Sequence, residues 1–203
     1  MRVVSNSSAL INMARIGKLT LLRELFGVLI VPDAVWQEVV VEGAGQPGAD
    51  EIGSADWIQR QAVMNMQLVQ ALQQDLDGGE AEAIALSLEI GADLLLMDEN
   101  LGRETARHLG LRYIGLIGAL VMAKRRGLIS AVKPHLDMLR DQVETFAKEL
   151  DSSKTGLLED YPGECYPTDV IAALMCIKRA DAVLGTDHAM FVKRALRGFT
   201  GTK

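Results

Sequence analysis

The side chains able to do chemistry in this chain are mostly carboxylates, and their positions are more telling than their number. Glu80 and Glu82 stand where a helix begins, and Asp98 stands directly after the wholly apolar run Leu94–Met97. Asn6 follows the short apolar stretch Val3–Val4, and Glu38 lies in the helical segment opened by Pro32 and Asp33. Acids gathered at one edge of a fold hold a hard divalent cation or move protons. Three acids and an amide suffice for the cation, because magnesium keeps several waters and takes only one or two carboxylates directly. Beside them, Ser7 and Ser8 could hydrogen-bond a phosphate and Arg103 could contact a polyanion, although turn and surface roles would equally explain all three.

Each acid also has an ordinary explanation. Glu80 and Glu82 would be favourable charges near a helix N-terminus, worth about 0.3–1 kcal/mol. Asp98 would cap the helix that follows it, and Glu38 would sit on a solvated face. What favours chemistry is the arrangement of the elements that carry them.

Val3–Val4 reads as a strand, Ser5–Ser8 as a turn and Ala9–Leu25 as a helix, its apolar positions following the helical period. Val28–Val31 repeats the strand; Pro32 stops it, and Asp33 is placed to cap a helix reaching about Val41. A loop rich in Gly and Pro, Gly43–Gly53, precedes a third strand within Trp57–Val63 and a helix near Leu68–Leu76. After Gly78 and Gly79 an alanine-rich helix runs to Gly91, followed by the strand Leu94–Met97 and a helix around Leu101–Leu109. The strand Leu111–Ile114 and a helix from Leu116 to Arg126 complete the pattern. Strands alternating with helices predict an α/β fold with a parallel sheet covered on both faces. In such sheets ligands collect beyond the carboxyl ends of the strands, where Asn6 and Asp98 fall.

The 203 residues, 49% of them hydrophobic, suffice for one sizeable core. No apolar run reaches the roughly 18–20 residues of a spanning helix, and the N-terminus is too polar around Ser5–Ser8 for a signal peptide, so a cytoplasmic protein is expected. Cys165 and Cys176 suggest neither a disulfide framework nor a zinc site. The net charge of −6 argues against a nucleic-acid partner until its distribution is considered. Residues 1–102 hold 5 Lys/Arg against 15 Asp/Glu, whereas residues 103–142 hold 8 against 3. An acidic cluster that needs cations, followed by a basic surface, suits an enzyme that brings metal and polyanion together.

The stretches VVSNSSALI (Val3–Ile11), VPDAVWQEV (Val31–Val39), GGEAEAIAL (Gly78–Leu86) and LLLMDENLGR (Leu94–Arg103) together resemble the PIN-domain nucleases, in particular a branch close to the VapC-type toxins of prokaryotic toxin–antitoxin pairs. The resemblance covers roughly residues 1–142 and implies a three-layer α/β/α sandwich. It also implies Mg2+- or Mn2+-dependent endonucleolytic cleavage of RNA, a small antitoxin as possible partner, and a homodimer. The family's acids fall on Asn6, Glu38, Glu80 and Asp98, with Glu82 an alternative for the third. The departure is Asn6, where most of the family has Asp: an amide oxygen can ligate a metal or a coordinated water but brings no formal charge. The competing reading is a silent PIN-like module that binds nucleic acid or protein. A phosphotransfer receiver is disfavoured because the first strand lacks paired acids.

The nuclease-like domain is expected over residues 1–150. Residues 151–203 read as a flexible connection and a helical hairpin capped by Thr168 and Thr186, of unknown role; Glu164, Cys165, Asp169, Asp187 and His188 lie there without any fixed geometry.

Overall fold

The structure, a computed structural model, describes residues 1–140, of which Met1–His135 form one compact unit. The connection after residue 150, the hairpin and its Cys, His and acidic residues lie outside the described residues.

The sheet is parallel throughout. Its strands are β1 (Val3–Ser5), β2 (Leu29–Val31), β3 (Ile58–Arg60), β4 (Leu94–Leu96) and β5 (Tyr113–Ile114), in the spatial order β3-β2-β1-β4-β5. On β1, Val3 is in register with Leu29 on one side and Leu94 on the other. Parallel neighbours need long crossovers, and helices supply each of them. Strands β1 and β4 are buried along their whole length, which explains their unbroken apolar sequences.

The helices are α1 (Ser7–Arg15), α2 (Leu19–Phe26), α3 (Asp33–Trp36), α4 (Ala49–Gly53), α5 (Met66–Leu72), α6 (Gly78–Glu89), α7 (Asn100–His108) and α8 (Leu116–Arg125). Helices α1, α2 and α8 pack together, while α5, α6 and α7 form a second group in which α6 also lies against β1 and β4. Helix α6 is buried nearly all round: Ala81, Ala83, Ile84, Ala85 and Leu86 are fully enclosed. Small side chains let it approach the sheet closely, and the Ser87 hydroxyl is satisfied by donating to the Ala83 carbonyl at 2.7 Å. Among the described residues, no helix is long and apolar enough to cross a membrane.

Four local expectations need correction. The single helix over Ala9–Leu25 is two, because Gly17 turns the chain at φ +63, a region open to Gly at no steric cost. Asp33 does not cap α3; Pro32 occupies that position, and the Asp33 carboxylate accepts from Arg60 Nε at 2.6 Å. Beyond Trp36 the helix widens into a π-helical segment, Gln37–Glu42, closed by the Gly43 N–H donating to the Glu38 carbonyl at 2.9 Å. The Gly43–Gly53 loop also contains the short helix α4.

Leu95, fully buried at the middle of β4, packs in one core with Val4, Ile84 and Leu86. Leu95→Ala should lower unfolding free energy by about 2–5 kcal/mol in a denaturant titration, the range for truncating a core Leu; a smaller loss would mean the sheet relaxes around the gap.

Candidate active site at the β1–β4 switch

From β1 the sheet grows in both directions, so the carboxyl ends of β1 and β4 bound the crevice in which open α/β sheets take their ligands. Two segments leave the sheet there. Asn6 follows β1, its N–H donating to the Leu96 carbonyl at 3.1 Å, and Asp98-Glu99 follows β4.

Asn6 is 1% exposed, and both ends of its amide are hydrogen-bonded. Its Oδ1 caps α1 by accepting from the Ala9 N–H at 3.4 Å. Its Nδ2 donates to Glu99 Oε2 at 2.6 Å and to Met97 Sδ at 3.4 Å. The other Glu99 oxygen accepts a short hydrogen bond from the Ser8 hydroxyl. Ser7, which the sequence offered as a phosphate contact, hydrogen-bonds Glu38 instead.

Glu38 reaches the site from the π-helical segment. As a residue it is exposed, but its carboxyl end tucks against α6, so close that a Cβ on Gly79 would lie 3.2 Å from Glu38 Oε2. Enclosure of that carboxyl is the largest cause of its raised pKa; the Ser7 hydrogen bond opposes it, and the charges of Asp77, Glu99 and Glu42 add to it.

Glu80 lies in the first turn of α6, whose N-cap is Asp77 accepting from the Glu80 N–H at 2.7 Å. Burial, the charges of Asp77 and Glu99, and a side-chain hydrogen bond with Glu99 push its pKa up to about 8. Near neutral pH, Glu80 therefore keeps its proton. Asp77 is itself raised, by burial first and by Glu99 as a further cause.

Asp98 does cap a helix, but not the one that follows it. Its Oδ1 accepts from the Leu116 N–H of α8 at 2.8 Å, an approach that depends on Gly115, where a Cβ would stand 2.7 Å from that oxygen. Its Oδ2 is buried and, among the described residues, has no hydrogen-bond partner. Burial pushes the Asp98 pKa to about 6, with the Glu99 charge adding, and the Leu116 hydrogen bond and the neighbouring Arg103 charge opposing. Arg103 also donates to Asn100 Oδ1 at 2.5 Å.

The paired helix-start acids part company. Glu80 joins the cluster, whereas Glu82 Oε2 accepts from the Ala34 N–H at 2.8 Å and so satisfies the N-terminus of α3. Sequence reading passed over Glu99, although its charge acts on Glu38, Asp77, Glu80 and Asp98 alike. The available signal was its place directly after Asp98, at the N-cap of α7, where its side chain makes no capping bond and is free for other work. Asp77 was missed too, although an Asp three residues before Glu80 is a helix-start signature.

Among the described residues, no three of these acids stand ready-made around one point for a metal ion. Their chemistry nevertheless fits a divalent cation. All the donors are hard oxygens, one of them is buried and unpartnered among the described residues, and the crowded negative charge is offset by the proton on Glu80 and the neutral amide of Asn6.

Because the folded state holds protons on Asp98 and Glu80 above their ordinary values of 3.8 and 4.5, this contribution to stability is complete below those values and is lost as pH rises through about 6 and about 8. Melting temperature of the chelator-treated protein should therefore fall across this interval, and Glu80→Gln should flatten the upper part of the fall. An unchanged slope in that variant would remove Glu80 as its source. Glu82→Ala should cost about 1 kcal/mol through the lost cap of α3 and leave manganese affinity, read by calorimetry, as in the native chain; weakened binding would return Glu82 to the cluster.

No curated protein matches the chain closely enough to serve as a relative. A family profile described as a PIN domain matches residues 2–150, a span that includes the whole sheet and every acid of the β1–β4 crevice. With a five-stranded parallel sheet flanked by helices and carboxylates at its switch point, the chain belongs to the PIN-domain family, whose fold is of nuclease type.

Proposed function

We propose that this protein is a metal-dependent endoribonuclease, hydrolysing RNA phosphodiester bonds at the β1–β4 crevice with Mg2+ or Mn2+. The observation that carries the proposal is the unpartnered, buried Oδ2 of Asp98 inside a group of mutually repelling carboxylates. A hard cation relieves both conditions at once.

Glu38, Glu80, Asp98 and Glu99 are the residues that would hold the cation, with Asn6 alongside them. The chemistry such a cation would supply there is an activated water for in-line attack and an offset to the charge of the phosphate. This chain's own residues do the rest. The Leu116 N–H fixes one Asp98 oxygen and leaves the other facing inward. Ser7 orients Glu38. Glu80, held protonated to about pH 8, would give up its proton to a cation, so binding should release protons and tighten with rising pH. Arg103, beside Asp98 at the head of the basic stretch 103–142, is suited to a phosphate of the RNA backbone. Ser8 is committed to Glu99, which makes it a part of the site rather than a free contact for substrate.

The motif branch supports the finer reading of a toxin neutralised by a small antitoxin in the cytoplasm. A homodimer is in keeping with the exposed apolar pair Ile117 and Val121, one turn apart on α8. In the alternative reading, the Asn6 site binds no metal and the fold recognises nucleic acid or protein without cutting it.

Purified protein incubated with structured and single-stranded RNAs should cleave them in Mg2+ or Mn2+ and fail to do so with chelator. Asp98→Asn, with the fold confirmed by melting, should lose activity by about a hundredfold or more, as when a metal ligand's charge and geometry are removed. Cleavage surviving in that variant would overturn the assignment of Asp98; no cleavage and no metal binding by the native chain would favour the silent module.

A further inference from the structure

The amide at position 6 occupies the place where most of the family has an acid, and its geometry gives it a task an acid cannot perform. Asn6 Nδ2 is a donor, aimed at Glu99 Oε2 over 2.6 Å. The Ser8 hydroxyl donates to Glu99 Oε1 from the first turn of the same helix, α1. The two oxygens of one carboxylate are thus each held by a donor from the segment leaving β1, across a sequence separation of more than ninety residues. Glu99 makes no capping bond to its own helix, so nothing local to α7 explains its orientation.

We propose that Asn6 and Ser8 are positioning residues that clamp the Glu99 carboxylate, and that Glu99, rather than the Asn6 amide, is the cation-holding group on this side of the crevice. The inference rests on the reading of the crevice as a divalent-cation site. Asn6 Oδ1 is turned away to the Ala9 N–H, the start of α1. The amide's nitrogen is committed to Glu99 and Met97 and its oxygen already accepts from α1, whereas Glu99 brings a formal charge and a second lone pair on each of its held oxygens. An ionised Asp at position 6 would keep the helix cap, lose the donor, and set a second carboxylate against Glu99 at hydrogen-bond distance. The amide is therefore the side chain that fits a site in which the negative charge has moved from the end of β1 to Glu99.

A double-mutant cycle tests this with manganese as the probe. Manganese affinity is measured by calorimetry on the full chain, native and with Ser8→Ala, Asn6→Ala, Glu99→Ala and each pairing with Glu99→Ala. Ser8→Ala leaves the α1 cap intact, which keeps the test usable should Asn6→Ala fold poorly; melting of the chelator-treated proteins reports that directly. The expected result is a loss of about tenfold or more for Ser8→Ala and Asn6→Ala in the native background, with no further loss once Glu99 is Ala. Equal losses with and without Glu99 would make position 6 a ligand in its own right and overturn the clamp, while leaving the cation site standing. Unchanged affinity in Ser8→Ala and Asn6→Ala would overturn it too. A native chain that melts cooperatively yet binds no manganese would instead remove the cation site, and the clamp's purpose with it.

Discussion

Repulsion among carboxylates at the carboxyl ends of β1 and β4 is the constraint on which the rest of the structure turns. Burying several acids together is costly unless each is neutralised or hydrogen-bonded. The fold meets that cost piecemeal. Glu80 is kept protonated to about pH 8, Asp98 borrows the N-terminus of α8, Glu38 takes a hydrogen bond from Ser7, and Glu99 takes two donors from the end of β1. Among the described residues, no Lys or Arg makes an ion pair with any of these acids. Arg103 comes nearest, and it lies beside Asp98 at the edge. A lysine or arginine within the group would neutralise it permanently, whereas protons and amides leave it open to a cation from solution.

The scaffold is built so that these groups can approach. Gly79 lets the Glu38 carboxylate come up against the first turn of α6, and Gly115 lets Asp98 come under the first turn of α8. Gly102 does the same one layer further in: a Cβ there would stand 2.7 Å from Met97 Sδ, the atom that receives the second hydrogen bond of Asn6. The alanines of α6 bring its N-terminus close to the sheet. Small residues in this chain therefore mark the paths along which side chains of separate elements meet at the switch point.

Much of this was legible from residue order, and the failures have identifiable causes. Strand positions were readable because β1 and β4 are buried on both faces, which forces continuous apolar runs; once the strands were placed, Asn6 and Asp98 fell at their ends by position alone. The split of the first helix was missed because the apolar period continues across Gly17, and only the backbone turn at positive φ separates α1 from α2. Glu80 and Glu82 could not be told apart, since residues two apart on a helix are turned by about 200° and what each then faces depends on α3, which no local pattern places. Glu99 was hidden for a related reason. Its partners Asn6 and Ser8 are adjacent to it only through the pairing of β1 with β4. The contacts of Glu82 and Glu99 are set by a distant element, and a local pattern carries no record of them.

The two oxygens of Asp98 carry the argument from architecture to chemistry. One is fixed by the Leu116 N–H, which by itself accounts for an acid at this position as a cap for α8. A cap of that kind needs one acceptor, and Ser, Thr or Asn would supply it without a buried charge. Asp98 instead keeps its second oxygen buried and unpaired, at a cost of about 1–3 kcal/mol for an unsatisfied buried acceptor. The surroundings make the expense greater, since Glu99 lies close enough to raise the Asp98 pKa further. A side chain that is both oversupplied with acceptors and placed among like charges is poorly explained by helix capping. It is well explained as a ligand whose orientation has been set in advance by its first oxygen, leaving the second for an ion.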